Sequence, residues 1–285
     1  MTIERVVDAH VHLWDPARAD WYPYLAGMQQ LDMGDISGMC RRFDQSIYFS
    51  EARKWNVQKF VHVAAAAPDK LVDETLELDA QANATGHPDV LIGGVNPSDD
   101  LAELEGQLDK QVTTTRFRGI RIMGEGEQAI PTPGMLQALQ DRGLIFELMA
   151  HPDALAAAAA ALDGWELPVV VEHTGWPRSN EPAEYDLWRT GMAELAGLRE
   201  NVTCKLSGLA MPMQSMTVET FAPWIRHAIE LFGADRCMFA SNFPVDGMHG
   251  TFDDLYATYD ELTADLDDST RKQLFAGNAE RIYGC

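Results

Sequence analysis

The strongest constraint on this chain is a rhythm. Eight short runs rich in Val, Ile, Leu and Phe recur at residues 5–12, 59–65, 90–95, 117–123, 144–149, 167–173, 201–206 and 236–241. They are bounded by Gly, Pro, Asn or Asp and are mostly apolar throughout, as strands buried on both faces of a parallel sheet must be. Helical patterns separate the later runs at 71–85, 101–110, 135–142, 153–162, 185–199 and 218–232, and two more follow the last run at 252–266 and 269–283. Asp69 stands where a cap would open the first helix, and Gly86 where a stop would close it. Parallel neighbours need a crossover between them, so eight strand-then-helix units predict an α/β fold, a closed (β/α)8 barrel of the TIM type, in one domain over 1–285. An open doubly wound sheet is the alternative, but no glycine-rich phosphate loop follows the first run.

Composition narrows the partners. The 285 residues are 46% hydrophobic, enough for a large core, and acids exceed bases to give a formal charge of -22. Such a surface repels phosphate backbones and anionic membranes, so neither nucleic acid nor membrane is expected as a partner. An anionic substrate would need local arginines. The four cysteines (Cys40, Cys204, Cys237, Cys285) form no C-x-x-C pair and read as reduced thiols of a cytoplasmic protein. The opening MTIERVVDAHV has no signal-peptide apolar stretch, and the alanine-rich run 154–162 is too short to span a bilayer. A homo-oligomer is compatible with all of this.

Against that background, VVDAHVHLWDP (6–16) is unusual. The strand period of two sends His10 and His12 to one side, with Asp8 continuing the alternation. Near the C-terminal rim of a barrel, two such imidazoles can share a metal ion or bracket one substrate oxygen. Other strand ends add polar groups: His173 in VVVEHTGWP, Arg118 and Arg121 in RFRGIRIM, and Asn242 in CMFASNFPVDG. Arg118 and Arg121 are three apart, so only one of them faces inward. Convergence of such groups on one rim is how this fold builds sites. The long stretch 14–43, with Trp14, Trp21, Tyr22 and Tyr24, reads either as a lid or pocket wall or as a packed surface excursion.

These signatures (VDAHVHLWDP, GIRIM, VVEHTGWP and MFASNFPVDG, in that order) resemble the amidohydrolase superfamily. The resemblance is to its branch of sugar-acid lactonases and 2-pyrone-4,6-dicarboxylate lactonase, and it extends from His10 to Asn278. It implies His10 and His12 at the end of strand one, His173 at the end of strand six, and Arg121 as the inward arginine, binding a substrate carboxylate or carbonyl. The family ends strand eight with an aspartate that takes a proton from the hydrolytic water. This chain has Asn242 there, which cannot act as a base. Asp246 or His249 could supply the base, a divalent metal could activate water, or hydrolysis could be lost.

Glu147, in LIFELMAH, is a carboxylate within an apolar strand and needs a partner: a metal, Arg121 or Lys205. With His10, His12 and His173 it would make a single zinc or manganese site; a structural ion pair is the other reading, and activity with or without a metal is open. Lys205 could orient a substrate anion or neutralise Glu147. His151 is a further ligand candidate. His62, His87 and His227 read as structural, and Met211, Met213 and Met216 as pocket wall or loop packing.

The expected activity is opening of a small lactone of a sugar acid or aromatic-degradation acid. His10, His12, His173 and Asn242 form the catalytic set, and Arg121, Trp14, Trp21, Tyr22 and Lys205 hold the substrate. A metal-dependent decarboxylase and a ligand-binding barrel without a base are the alternatives.

Overall fold

The computed structural model describes residues 3–27, 35–96, 99–122 and 126–285. Eight parallel strands stand in chain order: Val6–Val11 (β1), Val57–Val63 (β2), Val90–Gly94 (β3), Phe117–Arg121 (β4), Ile145–Leu148 (β5), Val169–Val171 (β6), Val202–Leu206 (β7) and Cys237–Phe239 (β8). The ring closes between the first and last. Val11 and Phe243 form a parallel bridge. His12 N–H donates to Phe243 O, and Asn242 N–H donates to His10 O, both at 2.8 Å. This is the (β/α)8 barrel the rhythm predicts. β6 and β8 are only three residues long, so His173 and Asn242 lie past the strand ends rather than on them. Met123, expected to end the fourth strand, lies outside the described residues.

The helices are Gln45–Glu51 (α1), Leu71–Thr85 (α2), Leu101–Gln111 (α3), Pro133–Asp141 (α4), Pro152–Leu162 (α5), Pro182–Ala196 (α6), Ala210–Met213 (α7), Val218–Phe232 (α8), Phe252–Leu262 (α9), Asp268–Lys272 (α10) and Asn278–Tyr283 (α11). Their starts follow local chemistry. Asp100 with Glu103 and Thr251 with Asp254 form reciprocal capping boxes. Asp69 does not cap α2: Lys70 holds that position and makes no side-chain capping bond, while Asp73 and Glu74 answer the helix dipole in the first turn. α1 was hidden inside the first connection; Asp44 opens it by accepting from the Ser46 and Ile47 amides. The run expected as one last helix is α10, a π-helical segment Gln273–Gly277, and α11.

Two apolar layers result. Val7, Ala9, Val61, Val63, Val90, Ile92, Ile145, Val170, Met238 and Ala240 fill the lower barrel, stoppered from below by Ala276, Ala279 and Tyr283. The opposite strand faces pack on the helices. The register slips between Val6 and Val7, between Leu91 and Ile92, and at one place that bears on the site. The β1–β2 register slips between Asp8 and Val11, so Asp8 does not share the histidine face. Its carboxylate accepts from Tyr48 Oη of α1 at 2.8 Å and from the Ser241 and His10 amides at 2.8 and 3.2 Å. A buried carboxylate with three donors thus holds the seam and turns His10 and His12 inward together.

Candidate active site

The upper barrel replaces apolar side chains with ionisable ones. From β1, His10 and His12 approach edge-on, their Nε2 atoms 3.1 Å apart. His173 brings its ring centre within 4.5 Å of that of His10. The geometry therefore brings together three of the histidines singled out from sequence. Their slight exposure, 3% for His173, 4% for His12 and 6% for Arg121, marks the rim as the side open to solvent.

Hydrogen bonds fix the imidazole protons. His12 Nδ1 lies 2.8 Å from Val63 O, and a carbonyl only accepts, so Nδ1 carries the proton and Nε2 the lone pair. His10 Nε2 must then donate to it. That leaves His10 Nδ1 as an acceptor, and Lys205 Nζ stands 3.3 Å away. His173 Nδ1 meets Ser207 Oγ at 3.2 Å. Burial first, then Lys205 beside His10 and Arg121 beside His12, push both imidazoles well below their ordinary value, so both are neutral at physiological pH. Burial also lowers His173, to about 4, although Glu172 pulls the other way.

Glu172 was not singled out from sequence. It follows Val170 by two residues on the inward face of β6, so the strand period signals it. Its Oε1 lies 3.8 Å from His10 Nδ1 and its Oε2 3.6 Å from His173 Nε2. Burial opposes its charge, but Arg121, whose Nη1 is 3.3 Å from Oε2, together with His173 and Lys205 holds the carboxyl down at about 2. Arg121 is itself fixed by Ala64 O, which accepts from Nε at 2.9 Å and Nη2 at 2.5 Å. As the three-residue spacing requires, Arg118 points elsewhere and donates to Tyr283 O.

His10, Glu172 and His173 offer ligand atoms that all lie within 4.8 Å of one another. Glu172 Oε1 is buried with no hydrogen-bond partner among the described residues, an acceptor that a bound cation would satisfy. Two imidazoles and one carboxylate suit zinc or a similar divalent ion. Glu147 is not one of those three groups, although its carboxyl interacts with that of the neighbouring Glu172. The two oxygens of Glu147 are taken by Lys205 Nζ at 2.5 Å and Tyr283 Oη at 2.6 Å. Burial and the adjacent Glu172 carboxylate push its carboxyl up to about 8, against the pull of Lys205. Of the partners expected for Glu147, Lys205 is found in contact with it. His12 bonds to the cluster through His10.

The strand-eight departure has a physical sequel. Asn242 sits at φ 56°, in the left-handed region that Asn tolerates better than most residues. Its Nδ2 donates to Asp246 Oδ1 at 3.0 Å and faces Met211 Sδ at 3.5 Å. Asp246 is fully buried; burial raises its carboxyl to about 7, partly offset by Asn242 and the Ala210 and Gly208 amides. Its Oδ2 has no partner among the described residues. Gly208 packs so tightly on the His173 ring that a Cβ there would lie 2.5 Å from it, which ties the Asp246 loop to the histidines. His173, Thr174 and Trp176 also have positive φ (53°, 55° and 39°). Four of the five non-glycine residues held in that region among the described residues lie at or beside these site groups, which marks a site over-determined by its surroundings.

Of the aromatic candidates, Trp14 stacks on His12, with ring centres 5.7 Å apart and planes 7° from parallel. Trp21 lies under Arg18, and Tyr22 Oη donates to the buried Glu74 of α2, so neither packs on the imidazoles. His151 stacks on Trp176 and bonds its carbonyl. His249 Nε2 is buried without a partner among the described residues. His62, His87 and His227 face Glu74, Asp89 and Glu230. Met211 reaches the site through Asn242; Met216 packs in the loop, its carbonyl bound by Thr258.

A sequence profile described as amidohydrolase matches residues 7–285, so the chain belongs to the amidohydrolase family. It is 30% identical to the uncharacterized protein y4mH of Sinorhizobium fredii over 98% of each chain. It is also 28% identical to an L-fucono-1,5-lactonase of Burkholderia ambifaria, over 97% of this chain and 94% of that one. Among solved structures, it is similar to an amidohydrolase of Burkholderia multivorans crystallised with bound zinc: TM-score 0.82, 23% identity, 98% of this chain and 99% of the other covered. No helix among the described residues is long and apolar enough to cross a membrane.

Proposed function

We propose that the chain hydrolyses a small lactone of a sugar acid. The observation that carries this is the buried convergence of His10, His12, Glu172 and His173 beside the Arg121 guanidinium. The lactonase relative supports the substrate class.

His10, Glu172 and His173 would hold one divalent ion, which when bound supplies Lewis-acid polarisation of the ring carbonyl. Glu172 stays ionised because Arg121 faces it. Arg121 also presents positive charge where carbonyl oxygen becomes negative. Asp246 takes the proton of the attacking water, the task Asn242 cannot perform. Asn242 instead aims the carboxylate, accepting the role of holder through its 3.0 Å bond. Trp14 walls the pocket beside His12.

The test is a panel of aldonolactones followed by proton release. Turnover of at least one is expected, and Asp246→Asn should lower kcat by about 10²–10⁴, the usual worth of a positioned base. Carbon dioxide release from a hydroxybenzoate, with no lactone opened, would transfer the site to the decarboxylase class. A silent parent that gains activity as Asn242→Asp would make it a binding barrel.

A further inference from the structure

The tautomers described above leave His10 with no unengaged lone pair. Nε2 carries a proton directed at His12, and Nδ1 accepts from the Lys205 ammonium at 3.3 Å. Nδ1 is also the nitrogen that lies 3.8 Å from the unpartnered Glu172 Oε1. A zinc ion would need that lone pair at about 2.0–2.1 Å. One lone pair cannot serve an ammonium and a metal together, and two cations at that separation repel in a buried site.

Lys205 has somewhere to go. Its Nζ already rests 2.5 Å from Glu147 Oε2, and Glu147 is steadied from below by Tyr283 Oη. A small rotation could keep that pair and vacate His10. All three side chains are fully buried, so the ammonium cannot escape to water instead.

We propose that Lys205 is a resident competitor of the metal. Its ammonium occupies His10 Nδ1 when the ion is absent, and the ion binds by displacing it onto Glu147, so Lys205 sets how tightly the His10–Glu172–His173 cluster holds a divalent cation. Lys205 is a positioning residue here, neither a ligand nor a base. The inference rests on the metal reading of the site but not on which lactone, if any, is opened.

The experiment measures zinc affinity by competition with a chromophoric chelator, and zinc content after dialysis, for the full chain and for Lys205→Met. Lactone turnover is not the readout, so a failed lactone panel leaves this test intact. The variant should bind zinc at least ten-fold more tightly, with one ion per chain. Equal or weaker affinity in the variant overturns the competition alone. Zinc retained by neither protein overturns the metal reading with it. If Lys205→Met does not fold, a zinc-loaded crystal structure of the unaltered chain decides. Nζ beyond hydrogen-bond reach of His10 Nδ1 and still on Glu147 supports displacement; zinc bound with Nζ still about 3.3 Å from Nδ1 ends the proposal.

Discussion

The floor and the mouth of this barrel are built from the same strands and obey opposite rules. Below, Val7, Val61, Val90, Ile92, Ile145 and Val170 interdigitate without a polar atom. One residue pair higher, on the same inward faces, Glu147 replaces a hydrophobe on β5, Lys205 stands on β7, Glu172 follows β6, and the two histidines end β1. The floor contributes stability through area removed from water. The mouth carries a desolvation cost that its pairings only offset, so its charges matter most when one loses its partner.

The sharpest way to break the contrast is to unpair the mouth. Glu147→Leu leaves Lys205 buried without its carboxylate and should destabilise by about 3–5 kcal/mol, whereas Glu147→Leu with Lys205→Met should be neutral or more stable. Denaturant midpoints at fixed slope decide this. If the double variant is as unstable as the single, the pair is a net contributor and the mouth is no different from a well-packed core.

A second, pH-dependent effect distinguishes the regions. Burial raises Asp246 to about 7, above the ordinary 3.8 that the unfolded chain would show. Between those values the folded chain binds the extra proton, so the contribution of Asp246 is full below pH 4 and is lost as pH rises through 7. The slope is on the order of 1.4 kcal/mol per pH unit. Urea unfolding from pH 4 to 7 should show this slope in the parent minus Asp246→Asn difference; a pH-independent difference would mean that the carboxyl ionises freely in the fold. The smallest effect belongs to the floor: Ile92→Val removes one methylene and should cost about 0.5–1.5 kcal/mol, with no pH dependence. A larger or pH-dependent loss would show that the floor and the charges above it are coupled.

What sequence revealed divides along the same line. The floor was legible because strand period and apolar runs are local signals, and eight of them leave few topologies. The inward turn of His10 and His12 was legible from spacing, but Asp8 was misplaced because a register slip is set by Tyr48 and the Ser241 amide, partners 40 and 233 residues away. α1 was missed because its seven residues lie in a stretch rich in aromatic and polar side chains. Glu172 was visible in VVVEHTGWP yet overshadowed by its neighbour His173, while Glu147 drew attention as the carboxylate in an apolar strand. Nothing in the sequence indicates that Tyr283 reaches Glu147; only the stopper from below brings it there.

The seam between β1 and β8 has a consequence for biosynthesis. In that seam His10 and His12 pair with the amide of Asn242 and the carbonyl of Phe243, which are synthesised more than two hundred residues later. The seam closes only when the last stave is in place, so the two histidines reach their final setting together with the completion of the cylinder.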